Sequence, residues 1–223
     1  MLRAAATKGG YPVNFITTAS SAVNLTNYTF NSVDFGDEDA NREVFVLVTY
    51  GSFALSARAL NSMTIGGITA TKAANAADAI SGAACFYATV PTGTSGSVTL
   101  NFSGGVLRCA ISVFNVINRP NISSQETAVS HISAGSGESI SITDTVPNNG
   151  FSLGMLSQNT SDITGSLSSA PYTQVANFSY ADGPTSYNNV FLYDNTSGPE
   201  DISTKEITWS GSAAHRAIFI TFN

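Results

Sequence analysis

Residues Val98–Phe114 read VTLNFSGGVLRCAISVF, and Ile207–Phe222, almost at the end of the chain, read ITWSGSAAHRAIFITF. Each alternates into a strand, meets Ser-Gly, and leaves through an arginine into a run that is apolar at nearly every position, the pattern of a β-hairpin. In that reading Phe102 and Trp209 stand on the first arm and Arg108 and Arg216 on the second, where a ring can lie beneath a guanidinium. A fainter third version, VDFGDEDANREVFVLVTY (Val33–Tyr50), sets Phe35 and Gly36 before the turn and Arg42 at the start of the apolar arm. A catalytic constellation is needed once in a domain, whereas a way of ending one strand and starting the next is needed many times. The repeated phrase is therefore read as scaffold.

Working outward from it, short strands are predicted at Thr26–Phe30, Glu43–Tyr50, Met63–Ile65, Ile68–Thr71, Ala84–Val90, Ser97–Phe102 and Arg108–Ile117. Beyond an Asn-Arg-Pro-Asn break at Asn118–Asn121 they resume at Glu126–His131, Ser139–Thr143, Phe151–Leu156, Tyr172–Phe178, Val190–Tyr193, Glu206–Trp209 and Arg216–Phe222. The gaps hold Gly, Pro, Asn and Ser, residues that supply turn dihedrals or cap turn amides. Gly66-Gly67 reads as a hairpin turn; it opens no helix and so is no phosphate cradle. KAANAADAISGAA (Lys72–Ala84) is rich in alanine but lacks an apolar helical stripe, and is expected to be a loop with at most one helical turn. The fold class expected is all-β, a jelly-roll-like β-sandwich. Residues 1–14 are expected to form an extended arm and residues 15–223 a single domain with a possible sub-boundary at 118–121, because the repeated phrase occurs on both sides of the break and each half alone makes a thin core.

Composition narrows the function classes. Of 223 residues 43% are hydrophobic and only 11% charged, less than half the usual charged share of about a quarter. Ser, Thr, Asn and Gly must then keep the surface wet, and such a surface suits packing against copies of itself or another body. A net charge of −6 with nine basic residues dispersed along the chain argues against nucleic acid, which needs clustered Lys and Arg. No run approaches the roughly 18 apolar residues of a membrane span, and MLRAAATKGGYPVNF carries no secretory h-region, so assembly in a cytoplasm is expected.

The chemically capable residues form no recognised constellation. His131 and His215 lie in no Ser-His-Asp, HExxH or H-x-E pattern and read as strand-end histidines. Asp34–Asp39 (DFGDED) could offer oxygen ligands to calcium, but without EF-hand spacing it reads more simply as a solvated acidic turn. The other acids, among them Asp78, Glu138, Asp144, Asp182, Asp194 and Glu200, fall in apparent turns and do not pair as a glycosidase requires. Cys85 and Cys109 sit in apolar strands and read as two buried thiols; a disulfide is the alternative if their strands face each other. Asn-x-Ser/Thr triplets at Asn27 and Asn177 are expected by chance in so Asn- and Thr-rich a chain. SYADGPTSYNN (Ser179–Asn189) has the tyrosine and amide composition of a sugar-binding loop, though such a loop also serves as cover for a core edge. No catalytic, cofactor-binding or metal-ligating residue is assigned, and no cofactor is expected.

Over Arg42–Val116 the chain resembles a β-sandwich module of tailed-bacteriophage virion proteins. The resemblance rests on a T-I-G-G-x-x-A-T turn (Thr64–Thr71), a V-P-x-G-x-x-G turn (Val90–Gly96) and the F-S-G…R-C-A-I phrase, with ITWSG…R extending it toward the end. It implies a virion structural protein without enzymatic activity. Behind a short arm, with neither shaft nor tail-anchoring domain in view, the module fits best a capsid decoration or cement protein or a head fibre. Expected partners are the major capsid protein or other virion subunits and further copies of the chain, on the virion exterior. The alternative implied is a receptor-binding or carbohydrate-binding tail-fibre module that meets a host surface glycan.

Overall fold

The computed structural model describes backbone and side chains for residues 13–52, 57–77, 81–117, 150–155 and 218–222. It gives strand course and pairing alone for 125–136, 139–146, 156–159, 166–167, 173–182, 185–194, 201–208 and 212–217. The described elements are all strands. The first nine are β1 (Val13–Ser21), β2 (Leu25–Asp34), β3 (Glu43–Gly51), β4 (Leu60–Ile65), β5 (Ile68–Thr69), β6 (Thr71–Ala77), β7 (Ser81–Thr89), β8 (Ser95–Val106) and β9 (Arg108–Val116). They form sheet A, in the order β1-β9-β3-β7-β6, and sheet B, in the order β2-β8-β4-β5. Then come β10 (Gln125–Ser136), β11 (Ser139–Val146), β12 (Phe151–Asn159), β13 (Ser166–Leu167), β14 (Thr173–Asp182), β15 (Thr185–Asp194), β16 (Asp201–Thr208) and β17 (Ser212–Phe222). These make sheet C, β10-β17-β12-β15-β14, and sheet D, β11-β16-β13.

Exchanging β1 for β10, β9 for β17, β3 for β12, β7 for β15 and β6 for β14 turns the order of sheet A into that of sheet C. The corresponding exchange of β2, β8 and β4 for β11, β16 and β13 turns sheet B into sheet D. The chain is therefore a β-sandwich written twice, with β5 lacking a counterpart among the described strands. Strand pairing runs within residues 13–116 and within 125–222, and the described pairs are all antiparallel. The repeated phrase is β8–β9 in one half and β16–β17 in the other, so its two copies fill the same slot of two equivalent units.

That slot is not a hairpin. β8 pairs with β2 and β4 in sheet B, whereas β9 pairs with β1 and β3 in sheet A. The chain crosses from one sheet to the other at Leu107, whose amide donates to the Gly51 carbonyl at 2.8 Å. The third phrase crosses likewise from β2 to β3. Phe102 does not need a guanidinium over it. Its ring lies in the core between sheets, edge-on to Tyr50 at 4.8 Å and to Tyr28 at 5.8 Å.

Why the arm after each arginine is apolar at nearly every position follows from the layers. In β3, Val44, Val46, Val48 and Tyr50 face the core shared with sheet B, while Phe45 and Leu47 face a second core shared with sheet C. In β9, Cys109, Ile111 and Val113 serve the first core and Ala110, Phe114 and Val116 the second. Both strands are buried at every position, and a strand covered on two faces reads as a continuous apolar run. Phe151, Leu153 and Met155 of β12 and Ile218, Ile220 and Phe222 of β17 close the second core from the other side. β11 packs on β17, so the layers run B, A, C, D.

Several expectations are corrected here. The alanine-rich stretch Lys72–Ala84 is not a loop: it supplies most of β6 and the start of β7, with Ala74, Ala76 and Ala83 buried against sheet C. Burial between close-packed sheets overrides the weak strand preference of alanine. The arm expected over 1–14 gives way at Val13 to β1, an edge strand on β9 that the sequence pattern did not show. Residues 1–12 and the break at 118–121 lie outside the described residues. Cys85 and Cys109 are free and buried, one in each core on opposite faces of sheet A with β3 between their strands, which excludes a bridge between them. Burial pushes both thiols up, away from the reactive thiolate form. Gly66-Gly67 is the hairpin turn expected, with φ of 60° and 81° joining β4 to β5, the left-handed pair that a two-residue turn favours.

One glycine is required by close approach. Gly82 faces Tyr50 across β7 and β3, and a Cβ there would meet Tyr50 Cζ at 2.1 Å. The ring cannot withdraw, because its hydroxyl donates to the Arg58 carbonyl at 2.8 Å and its edge abuts Phe102. Gly82→Ala is expected to cost about 3 kcal/mol by overpacking, read as a lower urea midpoint at unchanged slope.

Candidate functional site

The acidic turn lies between β2 and β3 and closes on Arg42, whose side chain is fully buried. Nε donates to the Val90 carbonyl at 2.8 Å, Nη1 to those of Gly36 and Asp37 at 2.8 Å each, and Nη2 to Gly93 at 2.6 Å and Thr92 at 3.3 Å. One guanidinium thus fastens the β2–β3 crossing to the β7–β8 connection. It uses the planar fork of donors that lysine lacks. Desolvation lowers the Arg42 pKa, against the opposing pull of Glu38, Asp39, Asp34 and Asp37.

Three of the four carboxylates accept from backbone amides. Asp34 accepts from the Gly36 amide at 2.8 Å, Asp39 from the Asn41 amide at 2.8 Å, and Glu38 from the Gly93 amide at 2.5 Å. Asp34–Asp39 is therefore a structural turn around a buried cation. Among the described residues no group of three or more His, Cys, Asp or Glu side chains is placed to hold a metal ion. Beside this knot lies a shallow recess between β1 and β9, lined by Asn14, Ile16, Gly36, Asp37, Asn115 and Ile117. Asn115 closes its floor by donating to the Phe35 carbonyl at 2.8 Å and accepting from Asn14 at 3.1 Å.

Glu43, the first residue of β3, is the buried acid of the region. Its Oε1 accepts from the Thr89 hydroxyl at 2.6 Å, while Oε2 has no hydrogen-bond partner among the described residues. Desolvation raises its pKa, partly offset by the Thr89 bond. Between the unfolded and the raised folded values the unfolded chain releases a proton that the folded chain keeps, so stability falls as pH rises through that window. Glu43→Gln keeps the Thr89 contact and removes the charge. It is expected to raise stability by about 1 kcal/mol at pH 7, with the gain vanishing below about pH 4, as urea midpoints at the two pH values would show.

The outer face of sheet B is of another kind. Between its bulges the strands alternate: Val98, Leu100, Phe102, Met63, Ile65 and Tyr28 point into the core, leaving hydroxyls and amides outside. The register aligns Thr29 of β2, Thr99 of β8, Thr64 of β4 and Thr69 of β5 in one row, and Asn27, Asn101 and Ser62 in the next. Asn101 donates to Asn27 at 2.6 Å, and the Thr29 and Thr99 hydroxyl oxygens are 3.4 Å apart. Asp34 is the single charged residue in the four strands. The edge strand β2 carries a bulge where Ser32 adopts φ 54°, a feature that spoils an edge for strand addition.

The remaining residues singled out from sequence are placed by backbone alone. Ser179–Asn189 is not a loop but the tip of the β14–β15 hairpin, with Tyr180 opposite Tyr187 at the edge of sheet C. His131 and His215 lie on neighbouring strands β10 and β17, paired with Ala217 and Ser133; their side chains, and those of Trp209 and Arg216, are outside the described residues. The threonine and asparagine rows were missed, although their signal is the alternation in NYTF, VTLNF and SMTIGGIT. No family model matches the chain, and no curated protein or solved structure is significantly similar to it.

Proposed function

We propose that the protein is a non-catalytic structural protein of a bacteriophage virion exterior, a capsid decoration or cement protein or a head fibre. The observation that carries the structural part is the engagement of the charged and polar groups. Arg42 and the acidic turn hold two crossings together, both cysteines are core residues, and among the described residues the outward face of sheet B carries hydroxyls and amides, with Asp34 the single charged residue of its strands. Such a molecule acts by lying against something. The assignment to a phage virion rests on the resemblance carried by Thr64–Thr71, Val90–Gly96 and Phe102–Ile111. Chain alternation between facing sheets, β1-β9-β3-β7-β6 over β2-β8-β4-β5, supports reading each half as a variant of the jelly roll. Mixing the purified chain with expanded empty capsids of the phage that encodes it is expected to give co-sedimentation that saturates; a chain that stays in the supernatant removes the reading.

The rows of Thr29, Thr99, Thr64 and Thr69 and of Asn27, Asn101 and Ser62 favour a second reading, in which the protein is a carbohydrate-binding module that holds a host surface glycan. A glycan array probed with the full chain separates the two. Binding there without capsid co-sedimentation selects the second.

A further inference from the structure

We propose that the outer face of sheet B binds a neutral polysaccharide laid across the strands along the threonine row. The inference rests on the carbohydrate-binding reading and names the surface and the ligand class.

The chemistry of the face decides among partners. An anionic partner would find no Arg or Lys in the strands, which strong recognition of phosphate or carboxylate needs, and a cationic one would find only Asp34, at the end of β2 and outside both rows. An apolar partner would bury the Thr64 and Thr69 hydroxyls, and the hydrogen-bonding capacity that the Thr29–Thr99 and Asn101–Asn27 pairs leave unused, away from water at a cost. A second copy of the face would have to dry two polar surfaces that lack the apolar centre of a stable interface. A slender polymer bearing hydroxyls needs only one row, and water keeps access from both sides.

Each threonine hydroxyl both donates and accepts, and so does each sugar hydroxyl. After the Asn101 to Asn27 bond, the Asn27 amide nitrogen and the Asn101 carbonyl oxygen still have hydrogen-bonding capacity beside the row. Four strands at about 4.8 Å spacing set Thr29 and Thr69 about 14 Å apart, room for a few sugar rings. The rows hold no aromatic residue to stack on a ring, so specificity comes from hydrogen bonds and a long polymer is preferred to a short oligosaccharide.

The test is affinity electrophoresis of the full chain in native gels containing dextran, mannan, xylan or mixed-linkage glucan, with polygalacturonate as the acidic control. At least one neutral polymer is expected to retard the protein. Thr64→Val with Thr99→Val, which keeps shape and strand preference, is expected to weaken retardation at least about tenfold. Asn27→Asp with Asn101→Asp should do the same by another route, and Ser20→Ala on β1 should leave it unchanged. Urea midpoints close to that of the parent show that the variants are folded. Retardation that survives both double substitutions overturns the site while leaving the carbohydrate-binding reading standing. Free passage through every neutral polymer, or retardation by polygalacturonate alone, overturns both. A wild-type dimer that the double substitutions dissolve overturns the inference in favour of self-association.

Discussion

Arg42→Ala is expected to destabilise the protein by about 4 kcal/mol, the scale for removing one partner from a buried charged network. The loss has two sources. Carbonyls of Gly36, Asp37, Val90, Thr92 and Gly93, which now accept from the guanidinium, lose their partner, and the acids at 34, 37, 38 and 39 lose the cation among them. Arg42→Lys is expected to recover less than half of the loss, because an ammonium cannot reach carbonyls on two sides of a planar fork. Chemical denaturation of the three proteins measures both figures, and a loss under about 1 kcal/mol for the alanine variant would show that the knot is ornamental.

Phe45→Ala is expected to cost about as much, near 4 kcal/mol, through the core between sheets A and C. Phe45 is the hub there: its ring lies 5.3 Å from Phe151, 4.9 Å from Phe222 and 5.5 Å from Tyr87. Phe151 and Phe222 stack at 4.9 Å. Truncation leaves an aromatic-sized void that flat sheets cannot collapse to fill. Phe45→Asp should go further and uncouple the halves, giving two unfolding steps in place of one.

Much of the first half was legible. Strong alternation in VTLNF and the largely apolar runs of Glu43–Gly51 and Arg108–Val116 located β8, β3 and β9, and Gly66-Gly67 marked its turn. Strand β1 was hidden because an edge strand, half-buried along most of its length, need not alternate. β6 was hidden because alanine carries little pattern and packs there for its smallness. The deeper miss concerned the doubled phrase. Recurrence on both sides of Asn118–Asn121 suits one sandwich that turns many corners, but in the structure it marks the same crossing in two equivalent sandwiches. A continuous apolar strand already hinted at this, since only a sheet packed on both faces needs one. For the candidate surface the sequence held the right letters, but the threonine row appears only when four strands fall into register, which no local window contains.

The account depends on the two sandwiches being joined by a shared apolar core into a single rigid slab. Differential scanning calorimetry of the unmodified chain tests that most directly. One transition with a calorimetric to van't Hoff enthalpy ratio of about 1 is predicted; two transitions that move independently, one following Gly82→Ala and the other indifferent to it, would contradict it.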